Sequence, residues 1–512
     1  MDRIGRCVNF GNCTTANQKQ TITMPAGLEL KCPECSRSLV EVTQTAKSSA
    51  GVAAVFGAAL VLLGAAGWFL WNNLRGGSTG STKPDTETTS TTNPTGTFKA
   101  MLSLHGSNTI GEQLAPALAE AFFKAQGAQD VKVVRDSPEV IRVVGDGKTI
   151  AIEARGTSTG FKDLGKSCDI AMASRPVKSE ESSTSTGDLT LPSAEHVVGL
   201  DGVAIIVNRN NPVDTITREQ LSKIFAGITA DWGGVDGGKS GPVTIYARDA
   251  KSGTFETIKS LVLGARDLAT GAQRFEDSAQ LAQKVAADPS GIGFVGLPYV
   301  GSTKVLAVSD KGSRALTPNR LTVATEDYVL SRRLFFYNSA NVTPADVNRF
   351  VEFALSKAGQ DIVEKIGFVS QHVRTEKAPT ASAGPAADSP AEYKKIAATA
   401  ERLSLDYRFK AGSVTLDNKA VVDLDRLITF LGDLHYSGAD LLLLGFADST
   451  GDPASNQKLS KERATAVADQ IERRGIKPGA VVGFGQAMPV ADNGAEDGRQ
   501  KNRRVEVWVK KK

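Results

Sequence analysis

The 512-residue chain sets 60 Lys and Arg against 56 Asp and Glu, a net charge of +4, with 41% apolar and 23% charged residues. That is the composition of an ordinary globular protein, and at ~150 residues per domain it predicts three or four domains. A charge so near balance, with no basic patch interleaved with aromatics, excludes a nucleic-acid partner.

Four of the five cysteines, Cys7, Cys13, Cys32 and Cys35, fall within the first 35 residues. A disulfide-stapled secreted domain would spread its cysteines through the core. Two pairs this far apart suit a zinc ribbon, in which two turns each present a thiolate pair to one tetrahedral metal. Cys32-Pro33-Glu34-Cys35 is a ribbon knuckle, while the gap in the first pair is wider than usual. A redox pair would need a βαβ context that these residues lack. The expectation is a structural zinc site over residues 1–45.

From Ala50 to Trp71 the chain carries no charged side chain. About 22 residues at ~1.5 Å each span a hydrocarbon core of ~30 Å, and Trp68 and Trp71 suit its interface. A cleaved signal peptide has a shorter apolar core nearer the start. Arg3, Arg6, Lys19, Lys31, Arg37 and Lys47 precede the run, whereas only Arg75 and Lys83 follow closely. The positive-inside rule therefore places the amino terminus in the cytoplasm, where zinc thiolates survive. The expectation is a single-pass anchor (50–71) in a bacterial inner membrane, with the bulk of the chain periplasmic. A polar linker (72–98) and a second, Ala/Pro/Ser-rich linker (376–395) delimit domains at 99–375 and 396–512.

In the larger domain three strands each end in small hydroxyl residues that open a helix. These are Leu102–Leu104 into Gly106-Ser107-Asn108-Thr109, Thr149–Ala154 into Gly156-Thr157-Ser158-Thr159-Gly160, and Val243–Tyr246 into Arg248 through Ser252-Gly253-Thr254. Such turns aim free N–H groups, hydroxyls and the positive end of a helix dipole outward. One alone is an ordinary N-cap; three in one domain predict an anion site.

Together with Gly199–Asn208, Leu221–Gly227, Asp231-Trp232 and Gly291–Gly296, these segments resemble the PstS-type phosphate-binding proteins of ABC transporters. The resemblance implies an α/β, two-lobed type-II periplasmic-binding-protein fold with the ligand between the lobes. It also implies phosphate or a similar oxyanion as ligand, and an ABC transporter or a signalling protein as partner. By position, the anion contacts would be Thr109 and Ile110, Thr157, then Arg248, Ser252, Gly253 and Thr254. Arg175 stands where phosphate binders can place an aspartate. An arginine only donates, so this substitution predicts a site that reads charge more than protonation state.

Two motifs point elsewhere. Gly145-Asp146-Gly147-Lys148-Thr149 resembles the end of a P-loop, but Arg142 stands where the first glycine belongs and a strand follows. Gly156-Thr157-Ser158-Thr159-Gly160 fits a nucleophile elbow, which makes a serine hydrolase through Ser158 a lesser alternative. His196 and His372 are poorly placed to serve it. The chain is read as a binding protein, not an enzyme. Cys168, beside the apolar Ile170-Ala171-Met172, reads as a buried thiol.

Residues 404–510 alternate strand, helix, strand, helix, strand, with Leu441–Gly445 a continuous apolar strand. Gly445–Gly451, Asn456 through Arg463-Ala464, and Asn502–Glu506 resemble the OmpA-like peptidoglycan-associating domain. That resemblance implies that Asp448 and Arg463 hold the diaminopimelate side chain of the stem peptide. Its ammonium and carboxylate need one partner of each sign. The alternative for the whole chain is an envelope scaffold whose phosphate-binding-like domain recognises a protein instead.

Overall fold

The computed structural model describes residues 3–6, 21–24, 40–41, 100–250, 252–377, 389–409, 413–432 and 439–511. They fall into two units, Met1–Pro94 and Thr95–Lys512. In the first, Arg3–Arg6 pairs antiparallel with Thr21–Met24 on one side and Val40–Glu41 on the other. Cys7, Cys13, Cys32, Cys35 and the apolar run 50–71 lie outside the described residues. Among the described residues no helix is long and apolar enough to cross a membrane, and no group of His, Cys, Asp and Glu could hold a metal.

The second unit holds a two-lobed domain and a carboxy-terminal domain. The lobes share one sheet because two long strands, Glu195–Val207 and Ser331–Asn338, run antiparallel through both. Beyond Ser331–Asn338 the first lobe adds Ile170–Ala173, Leu102–Gly106, Lys148–Ala154, Val140–Gly145 and Val131–Ser137. Beyond Glu195–Val207 the second lobe adds Gly291–Gly296, Thr244–Arg248 and Gln273–Phe275. From Val197 onward every residue of Glu195–Val207 is buried, Asp201 included, as in a strand covered on both faces. Helix Leu114–Ala125 turns Leu114, Leu118 and Phe122 onto the first lobe, where they meet Leu104, Ile152 and Phe350. The second lobe closes around Phe225, Ile245, Phe294 and Leu330.

The carboxy-terminal sheet runs Thr375–Lys377, Glu401–Arg408, Arg504–Lys510, Asp440–Gly445, Ala480–Gly483. Helices Asn418–Leu431 and Pro453–Glu472 cover it with Leu424, Leu427, Val467 and Ile471. Two elements go beyond the predicted strand–helix alternation: the strand Ala480–Gly483, parallel to Asp440–Gly445, and the helix Glu496–Asn502. Both are short, and the helix carries no apolar stripe that its period could reveal.

These two domains touch over a buried ionic cluster. Asp327, in the turn before Ser331–Asn338, is 1% exposed and lies 2.8, 3.8 and 3.9 Å from Arg402, Arg408 and Arg504 of the carboxy-terminal domain. Asp406 pairs with Arg402 and Glu506 with Arg504, so three guanidinium groups face three carboxylates. Beside it Arg333 bridges Glu326 and Asp417 at 2.9 and 2.8 Å.

Candidate functional site

The three predicted turns converge where the lobes meet. Gly106 adopts a φ of 134°, and a side chain there would collide with Met172 O; this lets Ser107 N donate to Met172 O at 2.8 Å. Gly156 N donates to Gly106 O at 2.8 Å, which fixes the second turn against the first. The third turn is capped by Ser252, whose hydroxyl accepts from Thr254 N at 3.2 Å. Gly253 then approaches Thr109 across the cleft so closely that a Cβ would overlap Thr109 Oγ1. The lobes are therefore closed on each other at this point.

Thr109, Arg248, Ser252, Gly253 and Thr254 line one cavity of about 150 Å³ together with Glu112, Asp201, Asp277 and Ser278. Arg248 leans onto the far wall, where Nη2 donates to Glu276 O at 2.7 Å, Nε to Phe275 O at 3.3 Å, and Nη1 to Ser278 Oγ. Burial draws its guanidinium below the usual arginine range, against the pull of Glu112 and Asp277. Glu112 is pushed up, by burial first, with Arg248 and Arg135 opposing. Ile110 is fully buried in the first lobe, so only its backbone can serve a ligand.

Thr157 and Arg175 are placed differently from the other predicted contacts. Thr157 Oγ1 lies 3.2 Å from Ser174 Oγ, which in turn donates to Glu256 Oε2 at 3.1 Å from the opposite lobe. Arg175 is engaged elsewhere: its two terminal nitrogens reach both oxygens of Glu181 at 2.8 and 2.7 Å, and Nη2 also donates to Ser158 Oγ. The predicted change of selectivity rested on a free arginine; Glu181 neutralises it, and a carboxylate, Glu256, stands at the junction.

Two further residues went unnoticed in the sequence. Arg332 sits opposite Asp201 in the hinge register, pairs with it at 3.2 Å, and its Nη2 donates to Thr109 Oγ1 and to Gly253 O, both at 2.7 Å. One guanidinium thus ties the hinge to both jaws. An arginine adjoining the apolar stretch Leu334-Phe335-Phe336, opposite the aspartate of Gly199–Asn208, was the available signal.

The hydrolase geometry is missing among the described residues. Ser158 Oγ accepts from Arg175, whereas His105, His196 and His372 bond Asp163, Asn338 and Asp361. Cys168 is buried, donates to Ile170 O, and burial pushes its thiol up to about 12, which makes it inert.

In the carboxy-terminal domain Asp448 follows the end of Asp440–Gly445, and its carboxylate accepts from Thr450 N at 2.8 Å and Arg503 Nη1 at 3.0 Å. Burial would raise it, but Thr450 and Arg503 hold it below the usual aspartate range. Arg463, on helix Pro453–Glu472, is 1% exposed, stacks 5.5 Å over Phe409, and leaves Nη1 without a hydrogen-bond partner among the described residues. Burial and the nearby Arg503 bring it down to about 10, with Asp448 opposing. A buried guanidinium nitrogen with no acceptor is costly unless a ligand supplies one.

Comparison with known proteins identifies both domains. Residues 86–358 match the profile of the PBP superfamily domain, and residues 408–503 that of the OmpA family. The protein SphX of Synechococcus elongatus is 32% identical over 257 residues, 46% of this chain and 76% of its own. The phosphate-binding protein PstS of Borreliella burgdorferi is 26% identical over 43% of this chain and 79% of its own. Among solved structures, an ABC-type phosphate transport receptor from Vibrio cholerae aligns at 24% identity with a TM-score of 0.43, covering 52% of this chain and 99% of its own. The periplasmic domain of Helicobacter pylori MotB aligns at 21% identity with a TM-score of 0.20, covering 22% of this chain and 74% of its own. The Borreliella burgdorferi relative is named for phosphate binding and the Vibrio cholerae protein for phosphate transport. The chain belongs to the PBP superfamily, as a PstS homologue that carries an OmpA-family domain after its phosphate-binding-protein-like lobes.

Proposed function

We propose that this protein is a membrane-anchored, non-enzymatic receptor for phosphate or a closely related oxyanion, held to peptidoglycan by its carboxy-terminal domain. The observation that carries the reading is the meeting of Thr109 with Ser252, Gly253 and Thr254 from the opposite lobe around one small cavity that also holds Arg248. Hydroxyls, amides and a guanidinium converging from two jaws suit a small tetrahedral anion.

Selectivity is the test of this site. A bound hydrogen phosphate still has a proton to donate, whereas sulfate presents only acceptors. A carboxylate on the cleft wall therefore favours phosphate and repels sulfate. With Arg175 paired to Glu181, Asp201 paired to Arg332 and Asp277 capping a helix, Glu112 on the cavity wall fills that role. Competition calorimetry should show phosphate preferred over sulfate, and Glu112→Gln should shrink the preference roughly tenfold, about 1.4 kcal/mol. An unchanged ratio in the variant would refute the role of Glu112.

The orphaned Arg463 Nη1 and the Asp448 carboxylate support recognition of diaminopimelate, whose carboxylate and ammonium complement them. Asp448→Ala and Arg463→Ala should each cut sedimentation with diaminopimelate-containing sacculi by about 1.5–3 kcal/mol, or roughly ten- to a hundredfold. Equal sedimentation of both variants and the parent chain would remove diaminopimelate recognition from the reading.

The anchor and the zinc ribbon complete the proposal, with the amino terminus cytoplasmic, zinc on Cys7, Cys13, Cys32 and Cys35, and the two binding domains periplasmic. Expressed in bacteria, the full chain should fractionate with inner membranes and carry one zinc. Cys32→Ser should stay in the membrane fraction but lose the metal, because a structural site has no spare ligand. Recovery in the soluble fraction would overturn the anchor, and full zinc content in the variant would overturn the ribbon.

A further inference from the structure

The carboxy-terminal domain grips both lobes of the clamp at once. On the first lobe, Asn418 Nδ2 donates to Thr190 O at 2.9 Å and to Glu195 Oε1 at 3.0 Å. Thr190 and Glu195 flank Leu189, Ala194 and Val197 of that lobe's core. On the second lobe, Asp492 N donates to Asp310 Oδ2 at 3.2 Å, and Asp497 faces Arg218 at 3.6 Å. Arg218 also holds Asp310 at 2.9 Å, beside the core residues Ile216 and Val308. Between these anchors Lys501 Nζ donates to Tyr328 O and Val329 O just before the hinge strand Ser331–Asn338.

Both anchors sit on one domain built around a single five-stranded sheet, so the distance between them is fixed. Lobes that swing apart about the hinge can keep one anchor but not both. The clamp that satisfies both is the closed one, in which Arg332 Nη2 touches Thr109 Oγ1 and Gly253 O together. The domain thus makes contacts in the closed state that the open state lacks, which is the physical requirement for linkage.

The second-lobe anchor also adjoins the peptidoglycan pocket. Asp497 lies on helix Glu496–Asn502, next to Glu496, whose Oε1 accepts from Arg503 Nη2 at 2.6 Å. Arg503 Nη1 in turn donates to Asp448. A ligand that rearranges Asp448 and Arg503 therefore acts on the helix that holds the second lobe.

We infer that the carboxy-terminal domain is a strap across the clamp, and that anion binding in the cleft and wall binding at Asp448–Arg463 favour each other. This inference rests on the oxyanion reading of the cleft. The linkage is reciprocal by thermodynamic necessity: whatever factor one ligand adds to the affinity for the other, the second returns to the first.

The test uses the full chain in detergent, inorganic phosphate and diaminopimelate-containing sacculi. Saturating phosphate should raise the affinity for sacculi about fivefold or more. Asn418→Ala combined with Asp497→Ala removes a contact from each lobe without touching the cleft or the wall pocket. That variant should bind phosphate several-fold more weakly and lose the phosphate effect on sacculi. Phosphate binding with no effect on sacculi in the parent chain would overturn the strap while leaving the anion reading intact. That comparison needs no variant, so misfolding cannot mask it. Absence of phosphate binding by the folded parent chain would overturn both.

Discussion

Asp327→Asn is expected to lower the stability of the Thr95–Lys512 unit by about 3–5 kcal/mol, the cost of breaking a buried ion pair from one side. In the native chain Arg402, Arg408 and Arg504 are balanced by Asp327, Asp406 and Glu506. Asparagine preserves the shape but leaves a net positive charge in a site where Arg504 is fully buried. Urea unfolding should show the midpoint falling, whereas Lys124→Ala, which breaks an exposed pair with Glu120, should shift it within about 0.5 kcal/mol. Two carboxyls of the cluster shift in opposite directions: burial, with Asp327 and Glu506 and against Arg402, pushes Asp406 up to about 7, whereas Asp327 is held down. Burial would raise Asp327, but Arg402, Arg504 and Arg408 outweigh it and hold the carboxyl at about 2. Its contribution is therefore complete above the ordinary aspartate range and is lost as pH falls through the native value near 2. An Asp327→Asn chain as stable as its parent would mean that the domain interface carries none of this energy.

Gly253→Ala should abolish closure of the clamp while leaving each lobe folded. The added Cβ would overlap Thr109 Oγ1, on a helix anchored by Ser107 and Gly106, so the nearest relief is to part the lobes. Overpacking of this kind costs about 1–3 kcal/mol, which is roughly five- to a hundredfold in anion affinity. Circular dichroism should match the parent chain. Undiminished phosphate affinity in the alanine variant would mean that the closed contact between Thr109 and Gly253 is not the binding state.

Much of this arrangement was legible in the residues, because short local patterns encode it. The continuous apolar run at Leu441–Gly445 announced a strand covered on both faces, and the glycine–hydroxyl turns announced where strands give way to helices. Thr109 and Ser252 through Thr254 were placed by those turns, and they meet. What depends on distant pairing was harder to read. Arg175 sits in the expected turn, but its partner Glu181 decides what it can do, and nothing local distinguishes a paired arginine from a free one. Glu256, Arg332 and Arg503 act across lobes or across strands, so their roles appear only when the chain is folded.

The domain interface was the least legible feature. Composition marks the Ala/Pro/Ser-rich stretch as a tether, and tethers ordinarily separate independent modules. Yet Arg402, Arg408 and Arg504 are spaced along two strands that read as any polar–apolar alternation would, and Asp327 lies in a turn. The charges become intelligible only as a set, since each would be a costly burial alone.

Titration calorimetry of the full chain in detergent with inorganic phosphate tests the central claim most directly. The expected result is a saturable heat with one phosphate per chain, weakened several-fold or more in Gly253→Ala. No heat from a chain shown to be folded would contradict the receptor reading and favour a scaffold whose lobes recognise a protein.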